Sequence, residues 1–243
     1  MTAEPAETAA LARLCRLLTG EGKLAVAVSG GVDSSVVLAA AARARGADRV
    51  LAVHAAGPQF PAAAGRAAAA LAARLGVPLV TVDGDLTGTE VFRRNPRDRC
   101  YRCKRELFGR LWAAARREGA AALVDGSHAD DREEDRPGLR ALTELGVGRP
   151  LAEAGLGKEA VRALACALRL PDPQRPAQPC LATRVPFGQP VTAAKLAAVA
   201  AAEAAVRGLG VSDCRVRHHG RLARLEVPAG ELGLVLARRA EVT

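Results

Sequence analysis

The stretch "GKLAVAVSGGVDSSVVLAAAARARG", residues 22–46, constrains the fold more than any other part of the chain. Residues 23–31 are a short apolar run that closes on two glycines. A run that is apolar at successive positions, without alternation, suits a strand buried on both faces in a parallel sheet. The residues that follow are helix formers, and Gly46 marks the end of that helix. A buried strand, a glycine turn and a helix in this order place the turn at the carboxyl end of a parallel strand.

The same pattern recurs. "RVLAVHA" (49–55) reads as a second strand, residues 62–75 as a helix stopped by Gly76, and "VPLVTVDG" (77–84) as a third strand. Residues 104–118 read as a helix, and residues 121–131 as a fourth strand with its exit loop. Alternation of this kind predicts an α/β fold, an open parallel sheet with helices on both faces. An amphipathic helix over 8–18 precedes it. A helix over 156–170 ends at Pro171, and the proline-rich stretch 171–192 is expected to be irregular and exposed. Beyond it come a helix (193–207), two short strands joined by a turn around Gly220 (213–228) and a last helix (229–239). The expected organisation is a main domain, 1–186, and a small C-terminal α/β domain, 187–243.

Composition narrows the setting. The chain is 49% hydrophobic over 243 residues, enough for a substantial core. No apolar run reaches the ~18 residues that a membrane span needs. The opening "MTAEPAETAA" lacks the basic and apolar regions of a signal peptide. A cytoplasmic setting without membrane partners is therefore expected, with cysteines as thiols or metal ligands. The net charge of +9 suits an anionic partner such as a nucleotide. It is equally what an arginine- and alanine-rich composition produces by codon bias. Aromatic residues are only 2%, which leaves little to stack exposed bases on and argues against nucleic acid.

"SGGVDSS" (29–35) lies between the first strand and its helix. Gly30 and Gly31 let backbone approach a phosphate, the helix amides and dipole favour an anion, and Ser29, Ser34 and Ser35 add hydroxyls. Asp33 would repel phosphates unless a cation intervenes, so it reads as a Mg²⁺ ligand. The alternative is a glycine turn with an aspartate cap. Asp125, Asp130 and Asp131 follow the fourth strand at the same end and read either as nucleotide and Mg²⁺ contacts or as loop caps.

S-G-G-x-D-S resembles the pyrophosphate loop of the ATP pyrophosphatase (PP-loop) superfamily, whose fold is adenine nucleotide alpha hydrolase-like and whose members adenylate an acceptor. "NPRDRCYRCKRELF" (95–108), residues 125–162, "PCLATRVPFGQPVT" (179–192) and "VRHHGRLARLEVP" (216–228) extend the resemblance. Together they resemble the LarE family of ATP-dependent sulfur transferases of nickel-pincer nucleotide biosynthesis. Two substitutions stand out: Asp135-Arg136-Pro137-Gly138 lacks the tyrosine of the family's D-Y-R-P-G, and Pro173 and Gln174 replace its Trp and Asp.

The resemblance implies adenylation of a carboxylate of pyridinium-3,5-biscarboxylic acid mononucleotide, with ATP and Mg²⁺, and conversion to a thiocarboxylate. It implies either sulfur from Cys180 itself or a four-iron four-sulfur cluster on Cys100, Cys103 and Cys180 bearing an extra sulfide; the cluster is the expectation adopted. Zinc and a Cys100–Cys103 disulfide are the other readings of the C-x-x-C. Arg184, Arg215 and Arg217 are implied ligands of the substrate phosphate, with Glu203 and Glu226 nearby; ordinary surface charge is the alternative for the two glutamates. Lys104, expected to open a helix against its dipole, points to an anionic ligand or to solvent. Cys15, Cys166 and Cys214 are expected to pack as small hydrophobes, and His218 and His219 to be turn residues. A homo-oligomer is expected. The competing readings are a tRNA-thiolating enzyme of the same superfamily and a nucleotide-binding regulator without catalysis.

Overall fold

The computed structural model describes residues 5–132 and 137–242. Asp135 and Arg136 of the altered D-Y-R-P-G stretch lie outside the described residues, as do residues 1–4 of the acidic opening. The chain forms two compact units: one from residues 1–56, 62–84 and 100–177, the other from 57–61, 85–99 and 178–243.

The first unit is built on four parallel strands, β1 (Lys23–Ala27), β2 (Val50–Ala56), β3 (Leu79–Asp83) and β4 (Ala120–Val124), in the order β3-β2-β1-β4. Helices α1 (Pro5–Leu18), α2 (Val32–Arg45), α3 (Ala62–Leu75) and α5 (Arg99–Arg117) lie before β4 in the chain, as does α4 (Glu90–Arg94), whose residues belong to the second unit. After it come α6 (Gly138–Glu144), α7 (Pro150–Glu153) and α8 (Lys158–Ala167).

Successive strand residues face opposite sides. Leu24, Val26, Val50 and Ala52 join the core made with α1, α2, α3, α7 and α8. Ala25, Ala27, Leu51 and Val53 join a second core with α5 and α6. Both faces are covered, which is why β1 and β2 are apolar at successive positions. α2 is buried from Val36 to Ala41 and behaves as a core helix.

Chain order explains where a ligand would sit. β1, β2 and β3 step outward in one direction, and β4 then pairs with the other side of β1. The crevice beyond the carboxyl ends of β1 and β4 is the topological switch point, where open α/β sheets bind ligands. The "SGGVDSS" loop leaves β1 there.

In the second unit, α9 (Ala193–Gly208) packs on a hairpin of β5 (Arg215–His219) and β6 (Leu222–Glu226), followed by α10 (Leu232–Ala237) and α11 (Arg239–Val242). Val206, Val211, Cys214 and Val235 form a small core. Asn95 is fully buried with φ of 46°. Its amide donates to the carbonyls of Pro186 (2.7 Å) and Gln189 (2.8 Å), and its own carbonyl accepts from the Gly188 N–H at 2.9 Å. The Leu181 N–H donates to Gln59 O at 2.8 Å. Three separated segments are thereby stitched into one unit.

Some expectations need correction. The helix expected from residue 104 begins at Arg99, because "RCYRCK" contains no helix breaker. Lys104 therefore lies inside α5 and does not oppose a helix start. The stretch 171–192 is not uniformly exposed: a 3₁₀ turn spans Leu181–Arg184, and Leu181, Ala182, Arg184, Val185 and Val191 are buried. The single C-terminal helix is a 3₁₀ turn followed by α10 and α11. Among the described residues no helix is long and apolar enough to cross a membrane.

Candidate active site

The β1–α2 loop is crowded into one shape. Gly30 has φ of +78°, and a Cβ there would lie 2.2 Å from the Ala64 carbonyl oxygen. Gly126, in the exit turn of β4, lies so close to α2 that a Cβ would sit 2.6 Å from the Ser34 nitrogen. Only glycine lets these three backbones meet. The start of α2 has no side-chain cap, so its first amides stay available to an anion. Ser34 and Ser35 donate their hydroxyls to the Gly31 carbonyl at 3.1 and 2.8 Å, and the Ser29 N–H donates to Ser34 Oγ at 3.1 Å. The serines shape the loop from within.

Two lysine–aspartate pairs flank it. Lys158 Nζ lies 2.6 and 2.8 Å from the two carboxylate oxygens of Asp33. Lys104 Nζ lies 3.4 Å from Asp125, whose carboxylate also accepts from the Ser127 N–H and hydroxyl, both at 2.9 Å. Asp130 accepts from the Lys158 N–H at 2.6 Å and so caps α8, while Asp131 accepts from the His128 N–H at 3.2 Å. Lys158 escaped sequence reasoning. A usable signal existed: the chain has 4 lysines among 35 basic residues, and two of them stand here.

Cys100 and Cys103 are one turn apart on α5, the first exposed and the second half-buried. Cys180 belongs to the second unit and is half-buried. All six cysteines are thiols. Among the described residues no group of three or more His, Cys, Asp or Glu side chains could hold a metal ion. The expected iron–sulfur cluster thus has no support from a ligand group among the described residues. Cys214 is buried, and burial pushes its thiol pKa up. Cys15 is half-buried and likewise raised by burial. Cys166 is exposed instead of packed, because α8 buries Val161, Leu164 and Ala165 and leaves position 166 off that face.

The arginines expected at the substrate phosphate differ in setting. Arg184 is 3% exposed and forks onto Glu203, which is 1% exposed, at 2.7 and 3.2 Å. Glu203 also accepts from Arg207 at 2.9 Å and from the Val216 N–H at 3.1 Å. Burial works to raise its pKa, but Arg184, helped by the Val216 N–H and Arg207, outweighs that and holds the carboxyl below the usual range. Arg215 and Arg217 are both half-buried residues of β5, two positions apart and so on one face. Arg217 bonds Glu226 at 2.8 and 3.0 Å and the Thr183 carbonyl at 3.1 Å. The Arg217 hydrogen bond is the main reason the Glu226 carboxyl is held low. His218 and His219, expected as turn residues, are instead the last two residues of β5, paired with Ala223 and Leu222, and His218 Nδ1 accepts from the Gly220 N–H at 3.3 Å.

The NAD synthase family pattern matches residues 18–94, the stretch holding β1, the phosphate loop and α2. Over 211 residues the chain is 36% identical to pyridinium-3,5-bisthiocarboxylic acid mononucleotide synthase of Lactiplantibacillus plantarum, covering 87% of this chain and 76% of that protein. The chain belongs to the LarE family. Another similar protein is the uncharacterized slr1717 of Synechocystis sp., 37% identical over 207 residues, with 85% of this chain and 77% of that protein covered. The uncharacterized MJ0830 of Methanocaldococcus jannaschii is 32% identical over 149 residues, which span 61% of this chain and 58% of that protein. LarE membership agrees with the α/β sheet and with a nucleotide loop at its switch point. It makes the protein an enzyme of a PP-loop family, a family that uses ATP and Mg²⁺.

Proposed function

We propose that the protein adenylates a carboxylate of pyridinium-3,5-biscarboxylic acid mononucleotide and converts it to a thiocarboxylate, the sulfur-bearing group of the nickel-pincer nucleotide. The observation that carries this reading is the glycine-shaped loop and uncapped α2 start at the β1–β4 crevice. They occur in a chain aligned over 87% of its length with the Lactiplantibacillus synthase.

A substrate carboxylate oxygen attacks the α-phosphorus of ATP, the α–β bridge breaks and pyrophosphate leaves. Gly30, Gly31 and the first α2 amides receive the phosphates, and Lys104 and Asp125 stand at the same crevice. Asp33, a half-buried carboxylate whose side chain is paired with the Lys158 ammonium among the described residues, fits a Mg²⁺ ligand. Magnesium, when bound, neutralises phosphate charge. Arg215 and Arg217 suit the phosphate of the mononucleotide, since guanidinium matches phosphate geometry.

Cys180 is the sulfur donor. Its thiolate attacks the acyl carbon, and AMP departs with the electron pair of the broken C–O bond. Loss of the Cys180 Cα proton and cleavage of its Cβ–S bond then release the thiocarboxylate and leave dehydroalanine. Atoms balance without an external oxidant or reductant.

Incubation with ATP, Mg²⁺ and the pyridinium acid should release pyrophosphate, yield thiocarboxylate in a single turnover, and leave the Cys180 peptide lighter by one hydrogen sulfide. Cys180→Ser should still release pyrophosphate and form no thiocarboxylate. Repeated turnover with unmodified Cys180 would refute the donor assignment. Pyrophosphate release that requires tRNA instead of the pyridinium acid would refute the substrate.

A further inference from the structure

We propose that Arg184 is a positioning residue for the sulfur donor: its buried guanidinium holds the backbone on both sides of Cys180 and ties that turn to the strand carrying Arg215 and Arg217. The assignment rests on Cys180 being the donor.

Cys180 precedes a 3₁₀ turn, Leu181–Arg184, that folds Arg184 back over it. Arg184 Nη1 donates to the Pro179 carbonyl at 3.0 Å and to the Cys180 carbonyl at 3.4 Å, and contacts Thr183 Oγ1 at 3.0 Å. The Cys180 carbonyl also accepts from the Thr183 hydroxyl at 2.8 Å and from the Thr183 N–H at 3.0 Å. The peptide groups before and after the Cys180 Cα are thus both pinned. The direction of its Cα–Cβ bond is set, and the thiol is left with rotation about χ1 alone.

The other edge of the guanidinium meets Glu203 in a fork, with both partners almost wholly buried. An arginine so engaged cannot turn to a substrate phosphate without giving up both bonds to Glu203, leaving that buried carboxylate to Arg207 and the Val216 N–H alone, which is costly. Glu203 reaches further. It accepts from the N–H of Val216, the residue between Arg215 and Arg217. Arg217 in turn donates to the Thr183 carbonyl. Two independent ties therefore join the Cys180 turn to β5. The Arg215 side chain, by contrast, makes no hydrogen bond or ion pair with the other described residues, while its backbone pairs with Glu226 in the hairpin. Phosphate recognition falls to β5, and Arg184 sets where the sulfur stands relative to it.

The test separates the two half-reactions. Arg184→Lys keeps a cation but cannot fork onto Glu203 and still reach both carbonyls. It should leave acid-dependent pyrophosphate release, and KM for the pyridinium acid, within about twofold of the parent. Thiocarboxylate formed per pyrophosphate released should fall on the order of 10- to 100-fold, as expected for a reacting atom misplaced by about 1 Å. Thr183→Val, which removes one tie to the Cys180 carbonyl and leaves the ion pair, should show the same split in milder form if the lysine variant folds poorly. Arg215→Met should instead raise KM for the acid in both half-reactions. A raised KM with parallel loss of pyrophosphate release in Arg184→Lys would make it a substrate ligand and overturn the proposal. An unchanged thiocarboxylate yield in both the Arg184 and Thr183 variants would overturn it too. Thiocarboxylate formation by Cys180→Ser would overturn the donor reading itself, and this assignment with it.

Discussion

Lys158 is the first residue of α8, where a cation opposes the helix dipole. It stands there against Asp33, itself in the first turn of α2. Each charge is misplaced or isolated without the other. On the proposed function, an incoming triphosphate would offer the ammonium a better anion and free Asp33 for Mg²⁺. Lys158→Met should therefore weaken ATP and pyrophosphate binding about tenfold, the worth of one hydrogen bond to a charged group. AMP binding should stay within about twofold. Titration calorimetry with the three ligands checks this; equal loss for AMP would place Lys158 elsewhere in the site. The Asp33 side of the pair was legible, because "SGGVDSS" is a local motif. Its partner was not, because Lys158 is 125 residues away in sequence.

Among the elements, strand-to-helix alternation was readable because the central strands β1 and β2 are buried on both faces and α2 and α3 stop at Gly46 and Gly76. The turn carrying Cys180 was not. Its prolines predict irregular backbone, and nothing local reveals that Arg184 will be buried. Glu203, on α9, supplies the reason, and it leaves a pH signature. Its folded-state pKa lies below the unfolded value of about 4.3. The resulting stabilisation is complete above that value and is lost as pH falls through the folded-state pKa. Glu203→Gln should cost about 3–5 kcal/mol at pH 7, the usual penalty for breaking a buried pair. It should also flatten the loss of stability below about pH 4. Urea unfolding at pH 7 and at acid pH, monitored for the second unit, tests both parts; a parallel pH dependence in the two proteins would refute them.

At the scale of the whole molecule, the second unit is not a continuous piece of chain. The expected division at 186/187 treats it as a C-terminal domain, whereas its contacts begin at Gln178 and include residues 57–61 and 85–99. Phe92 and Asn95 are wholly or almost wholly buried and bond the stretch 186–191. A fragment of residues 178–243 would lack them and keep only a small core. It should be largely unfolded by circular dichroism and show poorly dispersed amide resonances. A cooperatively folded fragment would show that the inserted segments are dispensable.

Sequence alone determined the α/β class, the order of the four parallel strands along the chain, the nucleotide loop and the membership suggested by collinear motifs. These are local properties: residue periodicity, glycine placement and short spacings depend on neighbours in the chain. Tertiary structure decided which charges meet. It paired Lys158 with Asp33 and Arg184 with Glu203, left Cys100 and Cys103 on one unit and Cys180 on the other, and drew two internal segments into the C-terminal unit. Charge pairing acts through space over a few ångströms and is blind to separation along the chain, so no sequence period records it.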